Sequence, residues 1–362
     1  MQRALWGALL GVFMGSCQVA PPRAAFQGPE GLIRADLAHE AEEVSGYFEE
    51  LRTSVDALLP GTDNRAREVW VQEEPAMYTF SGSAYAEADG FWSESAGRIH
   101  LRRNSQSLRR TLAHELVHAS LQGPWRALPG TIEEGLCDVV SVMLCPADAT
   151  QMRTGRLSAA AFATGGLELE VELFMTQMNG GSGLRIGRKT HMRLQANVAS
   201  QAQPNDVFSV RAGLSTTDVS VADKKALYGL SFLLVERIVQ RVGIVGLYGL
   251  CLRASSMGLD EVPASWLLNA ADLEGATIAD WRDALRRAFG PEELEVLVQL
   301  YPSLLTGSAT RFFGGRTQVQ LSEGGPSAIA ASIRVTGGQT MLDLGLQMSQ
   351  QSHPVEAQFV RQ

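Results

Sequence analysis

Thr111-Leu-Ala-His-Glu-Leu-Val-His118 constrains this chain more than any other stretch, because only a helix brings its two histidines together. At a spacing of four residues, His114 and His118 stand one turn apart on one face, where both imidazoles reach a single cation. Glu115 flanks them, close enough to act on a water beside that cation. Leu112, Leu116, Val117 and Leu121 give the same segment apolar faces to bury. A chance placement on an amphipathic helix is the competing explanation. The histidine count weakens it, since the chain has six histidines and spends two of them at this interval.

Two imidazoles do not complete a zinc site. Catalytic zinc takes three protein ligands and keeps a fourth position open. The next donors lie in Leu128-Pro-Gly-Thr-Ile-Glu-Glu-Gly-Leu-Cys-Asp138, which starts at a Pro/Gly break and reads as a second helix. The HExxH spacing followed by Pro-x-x-Ile-x-Glu-Gly-Leu resembles the gluzincin branch of zinc metallopeptidases, the group that includes thermolysin and the aminopeptidase N-like enzymes. The resemblance implies Glu134 as third zinc ligand and Glu115 as general base. It also implies that Asp138, one turn beyond Glu134, orients a ligand histidine, which by the resemblance is His114. The pattern departs at Thr131, where tryptophan is frequent, and at Cys137, where alanine is. Glu133 is the rival for the ligand role, otherwise a solvated residue of the first helical turn. Cys137 offers either a sulfur ligand or a small packing residue.

The resemblance further implies an α+β, zincin-like metallopeptidase fold. A small N-terminal sheet would carry the site helix, a mainly helical part would follow, and a short β-rich tail would end the chain. On that reading the catalytic domain spans residues 34–310, with an irregular insertion at about 148–221, and the appendage spans 311–362. Zn2+ is the implied cofactor and a peptide or protein the implied substrate. Two other classes compete. One is a non-catalytic envelope binding or assembly protein that keeps the fold; the other is a metalloenzyme acting on a non-peptide bond, because the motif encodes water activation and not substrate identity.

With 362 residues, 45% hydrophobic and 19% charged, the chain has enough apolar material for one large domain or two modest ones. Its net charge of -8 argues against nucleic acid as a partner, which calls for a concentrated basic surface. The first residues read as an export signal: Arg3, then an apolar run from Ala4 to Gly15 too short to span a bilayer. Met14-Gly-Ser-Cys17 resembles a bacterial lipobox, which would make Cys17 the lipidated first residue of the mature protein, anchored in the cell envelope. Plain secretion after cleavage near Ala20 is the alternative. Residues 18–33 then read as a tether, with contact to a membrane only through the lipid. Cys137, Cys145 and Cys251 remain; Cys145 and Cys251 can be imagined as a disulfide, or all three as buried thiols.

Along the chain, Leu37, Val44, Tyr47, Phe48, Leu51, Val55 and Leu58 recur at helical steps over 35–59 and stop at Pro60-Gly61. His39 on this segment reads as exposed. Glu68 to Gln72 alternates like a strand, and Gly90 to Trp92 with Arg98 to Leu101 reads as a hairpin that runs into the metal helix. In gluzincin-like folds an edge strand beside that helix aligns substrate, and Arg98 to Leu101 is in the matching position. His100 there reads as a surface residue, with a cleft residue as the alternative. His191, in the insertion, reads as an isolated loop histidine, with contact to substrate as the alternative. Helices are expected from Asp223 to Gly243, from Ile244 to Ala254, from Trp281 to Phe289 behind a Thr277–Asp280 cap, and from Glu292 to Leu300. Tyr228 sits in a segment that resembles the tyrosine-bearing helix of the same group, where a phenol near zinc stabilises an oxyanion; core packing is its competing use. From Val319 onward, apolar residues alternate at period two between Gly-Gly breaks, which predicts strands.

Overall fold

Alternation between apolar and polar residues builds the first layer, a five-stranded mixed sheet. The structure, a computed structural model, describes residues 21–73, 88–105, 107–164, 168–178, 185–195, 201–208, 220–290, 318–320, 329–335, 341–342 and 356–358. The strands are β1 (Ala24–Gln27), β2 (Leu32–Ala35), β3 (Glu68–Gln72), β4 (Gly90–Ser93) and β5 (Arg98–Arg102), in spatial order β1-β2-β3-β5-β4. The three inner strands run parallel and both edges are antiparallel. Helix α1 (Ala38–Leu58) makes the crossover between β2 and β3, the βαβ unit that parallel pairing requires. Ile33, Ala35, Val69, Val71, Ile99 and Leu101 are fully buried, joining one core with Val44, Phe48 and Leu51 of α1 and Leu112 and Leu116 of the helix that follows.

That helix, α2 (Leu108–Ser120), begins where Ser107 accepts a hydrogen bond from the Arg110 backbone N–H at 3.1 Å, satisfying one of the donors a helix start leaves free. Its far end is held by buried Asn64, whose side-chain amide donates to the Leu116 carbonyl at 3.0 Å and to the Ser120 hydroxyl at 2.8 Å. A short 3-10 turn over Gly123–Ala127 then reverses the chain. Buried Trp125 anchors this turn by donating from its indole to the Pro60 carbonyl at 3.0 Å. The turn lays α3 (Gly130–Leu144) against α2.

The rest of the described chain is mostly helical: α4 (Pro146–Ala163), α5 (Val221–Ser256), α6 (Ala264–Ala271) and α7 (Ile278–Ala288). Helix α5 is one run with a break at Gly243, whose φ of 74° and ψ of 170° lie outside helical values, so the expected boundary at Ile244 is a kink. It packs on both α3 and α4. Gly135 permits the approach to α3, because a Cβ there would stand 2.6 Å from the Ser231 carbonyl oxygen. Thr277 and Asp280 form a reciprocal capping box at the start of α7, as expected. Among the described residues no helix is long and apolar enough to cross a membrane.

Several expectations are corrected. The segment 18–33 is not a tether throughout: β1 and the first half of β2 lie in it, because Leu32 to Ala35 alternates and buries Ile33 and Ala35 against α1. Helix α1 accordingly starts at Ala38 rather than Ala35. The described residues of 148–221 hold more regular structure than the single short helix or strand expected in an irregular insertion. The stretch opens with most of α4, whose Leu157, Ala160 and Ala161 are buried, and continues as the strands β6 (Glu168–Met178) and β7 (Arg185–Gln195). The tail also forms strands: β8 (Gln318–Gln320), β9 (Ile329–Val335), β10 (Met341–Leu342) and β11 (Glu356–Gln358). Since β9 pairs with β6, insertion and tail share a sheet of order β10-β9-β6-β7. The leader, with Cys17, and the segment 292–300 lie outside the described residues. Cys137, Cys145 and Cys251 are free, buried thiols.

Candidate metal centre

Helices α2 and α3 face each other across the two histidines. The Glu134 carboxylate points between them, with Oε2 3.2 Å from His114 Nε2 and 3.5 Å from His118 Nε2. The two rings stand 5.0 Å apart, centroid to centroid, at 67°. Each ring is also held from behind. His114 Nδ1 lies 3.0 Å from Asp138 Oδ1, and His118 Nδ1 lies 2.6 Å from Glu133 Oε1. Both Nδ1 atoms are thus occupied by carboxylates, which leaves both Nε2 atoms turned to the shared space, the orientation that metal-ligating histidines take.

Asp138 and Glu133 differ in surroundings. The Asp138 side chain is 0% exposed and that of Glu133 30%. A buried carboxylate needs a counter-charge, and Asp138 has one in Arg156 of α4: Arg156 Nε is 2.6 Å from Asp138 Oδ2. The same guanidinium lies over the ring of Tyr228, 4.6 Å from its centroid. Tyr228 therefore belongs to the neighbourhood of the site, and its phenol feels the charges of Glu134, Arg156 and Asp138.

Charges inside this cluster outweigh burial. Burial alone would lower the His114 pKa, but hydrogen bonds to Asp138 and Glu134 raise it to about 9. His118 is likewise raised against its burial, by Cys137, Glu134 and Glu133. Burial would raise Glu134, yet the two histidines hold it well below the ordinary carboxylate range. Asp138 is depressed in the same way by Arg156 and His114. Glu115 goes the other way: burial raises its pKa more than the histidines lower it. A carboxylate shifted upward beside a cluster of fixed, charged side chains is suited to exchanging protons.

Glu115 also lies directly beneath the edge strand. It accepts a hydrogen bond from the Trp92 backbone N–H. A Cβ at Gly90 would stand 2.8 Å from Thr111 Cγ2 and 3.2 Å from Glu115 Oε1, so glycine lets β4 cross this close to α2. The edge is β4, not the Arg98 to Leu101 segment, because β5 is flanked by β3 and β4. His100, on β5, is correspondingly no surface residue. It is buried, stacked on Phe91 with centroids 4.5 Å apart and edge-on to Trp70 at 5.3 Å. Burial and then Arg98 push its pKa down to about 4.

The structure brings together His114, Glu115, His118, Glu134, Asp138 and Tyr228, adds Arg156, and gives places to Glu133 and Cys137, which the sequence offered only as alternatives. Arg156 was hidden in a segment read as irregular, although its place just before buried Ser158–Ala161 on a helix is a legible signal afterwards. Glu133 is not simply solvated but holds His118. Cys137 is buried as expected, yet its sulfur and a ring nitrogen from each of His114 and His118 lie within 4.8 Å of one another, a group able to hold a metal ion. His39 is exposed, as read. His191 is on β7 rather than in a loop. No family model, curated protein or solved structure matches the chain.

Proposed function

We propose that this protein is a zinc-dependent peptidase of gluzincin type, with a zincin-like catalytic domain, exported and anchored in the cell envelope by a lipid on Cys17. The observation that carries the enzymatic reading is the Glu134 carboxylate set 3.2 Å and 3.5 Å from two Nε2 atoms whose opposite ring nitrogens are already engaged. Two imidazoles and one carboxylate, all with donor atoms turned to one space, fit the ligand set of a hydrolytic zinc. The lipobox-like Met14-Gly-Ser-Cys17 supports the anchor.

His114, His118 and Glu134 would hold the ion, which supplies a positive charge that polarises a carbonyl and acidifies a water near neutral pH. Glu115 takes the proton of the attacking water and hands it to the leaving amine, a task for which its raised pKa suits it. Asp138, charged because Arg156 faces it, accepts from His114 Nδ1 and so fixes the tautomer that leaves Nε2 free as a donor. Tyr228, whose phenol feels the charge of Glu134, would donate to a developing oxyanion. Strand β4 is the outermost strand of its sheet and crosses directly over Glu115, and an extended peptide adds to such an edge by main-chain hydrogen bonds.

Glu115→Gln is the test of this reading. The variant should retain its metal and lose turnover by about 10²–10⁴-fold, measured on a panel of peptide, ester and glycan substrates. Undiminished cleavage in Glu115→Gln would remove Glu115 from the mechanism. Activity confined to the esters or glycans would replace peptide with another bond.

A further inference from the structure

Two different donors approach the His114 and His118 pair, where a hydrolytic zinc needs one more. Besides His114, His118 and Glu134, the Cys137 sulfur falls within 4.8 Å of a nitrogen on each histidine. A tetrahedral zinc at about 2.0–2.1 Å from nitrogen and 2.3 Å from sulfur holds its donors about 3.5 Å apart, so donors within 4.8 Å of one another close by about 1 Å at most on binding. Cys137 follows Glu134 by three residues on α3, which puts both side chains on the face turned to α2. Cys137 is fully buried in the hydrophobic core, yet polar groups also reach it. The thiol is within hydrogen-bonding reach of His118 and sits beside Glu133 and Glu134.

We propose that Cys137 is a fourth, displaceable metal ligand, whose sulfur closes the site at rest and gives way when water or substrate enters. The inference rests on the metal-centre reading above and deepens it, because four protein ligands make a closed site and three an open one. Coordination replaces the S–H bond with an S–metal bond and sends the proton to solvent. Displacement reverses both, and no electrons are exchanged. Helix α3 thereby carries the ligand that opens the site for chemistry and the one that shuts it, one turn apart. A sulfur in the set also shifts preference toward soft cations such as Cd2+.

The full chain, stripped of metal by chelation and titrated with Co2+, gives a readout independent of catalysis. We expect visible cobalt bands and, rising with them to one equivalent, a near-ultraviolet sulfur-to-cobalt charge-transfer band. In Cys137→Ser the visible bands persist and the charge-transfer band is lost; Cys137→Ala serves if the serine variant does not fold. Visible bands without a sulfur band in the wild type would overturn the inference and leave the three-ligand centre standing. A sulfur band that survives in Cys137→Ser would assign the ligand to another thiol and overturn the inference equally. No cobalt spectrum at all would overturn this inference together with the proposed function.

Discussion

Helix α2 and strand β5 each hold histidines away from water, and the two regions drive the ring proton in opposite directions. On α2, His114 and His118 are ringed by carboxylates from α3, and His114 is raised to about 9. On β5, His100 is enclosed by Phe91 and Trp70 with Arg98 nearby, and is lowered to about 4. Burial acts downward in both places. The difference lies in what the neighbouring helix or strand supplies: acceptors for both ring nitrogens on α2, aromatic faces and a cation on β5. A metal-ligating histidine has its second nitrogen engaged, and His100 Nδ1 has no hydrogen-bond partner among the described residues.

The comparison breaks most readily at Arg156. Removing its charge in Arg156→Met should strip Asp138 of its counter-ion and weaken the grip on His114, lowering zinc affinity about 10- to 100-fold by competition titration. Arg156→Lys should recover part of that loss. Unchanged affinity in Arg156→Met would mean that the α2 histidines owe nothing to the α4 cation.

A smaller effect sharpens the contrast through pH. In the metal-free protein, His114 contributes stability that is fully present below about pH 6.5 and is lost as pH rises through about 9. His100 has the opposite sign. Between about pH 6.5 and 4 the unfolded chain binds the proton that the folded chain refuses, so stability falls as pH falls. Urea midpoints of the metal-free protein should therefore peak near pH 6.5 and drop on both sides. His100→Phe, a swap of similar volume, should cost about 1 kcal/mol or less at neutral pH and flatten the acid side only. An acid limb identical in the variant would show that other groups set it.

What was legible follows the same divide. His114, Glu115 and His118 could be read because helical periodicity alone brings i and i+4 together. Ser107 capping α2, and Thr277 with Asp280 capping α7, are local signals of the same kind. The contact of Asp138 with His114 came through resemblance rather than spacing. Arg156 escaped, and Glu133 and Cys137 could be read only as alternatives, because their partners lie on other helices and no periodicity records a partner across an interface. The edge strand was misassigned for a related reason. Both strands of the hairpin could be read from the sequence, and only the pairing of β5 with β3 decides which is outermost. In 148–221, runs of glycine and polar residues concealed the α4 segment, which the core holds through Leu157 and Ala160.

Metal content tests the central claim most directly. Wild type, His118→Ala and Glu134→Ala would be purified as the mature domain, reconstituted, checked for fold by circular dichroism and assayed by elemental mass spectrometry. We predict one zinc per wild-type chain and its loss from both folded variants. A wild type that holds no zinc after reconstitution, or a Glu134→Ala variant that keeps full affinity, would contradict the three-ligand centre on which the peptidase reading stands.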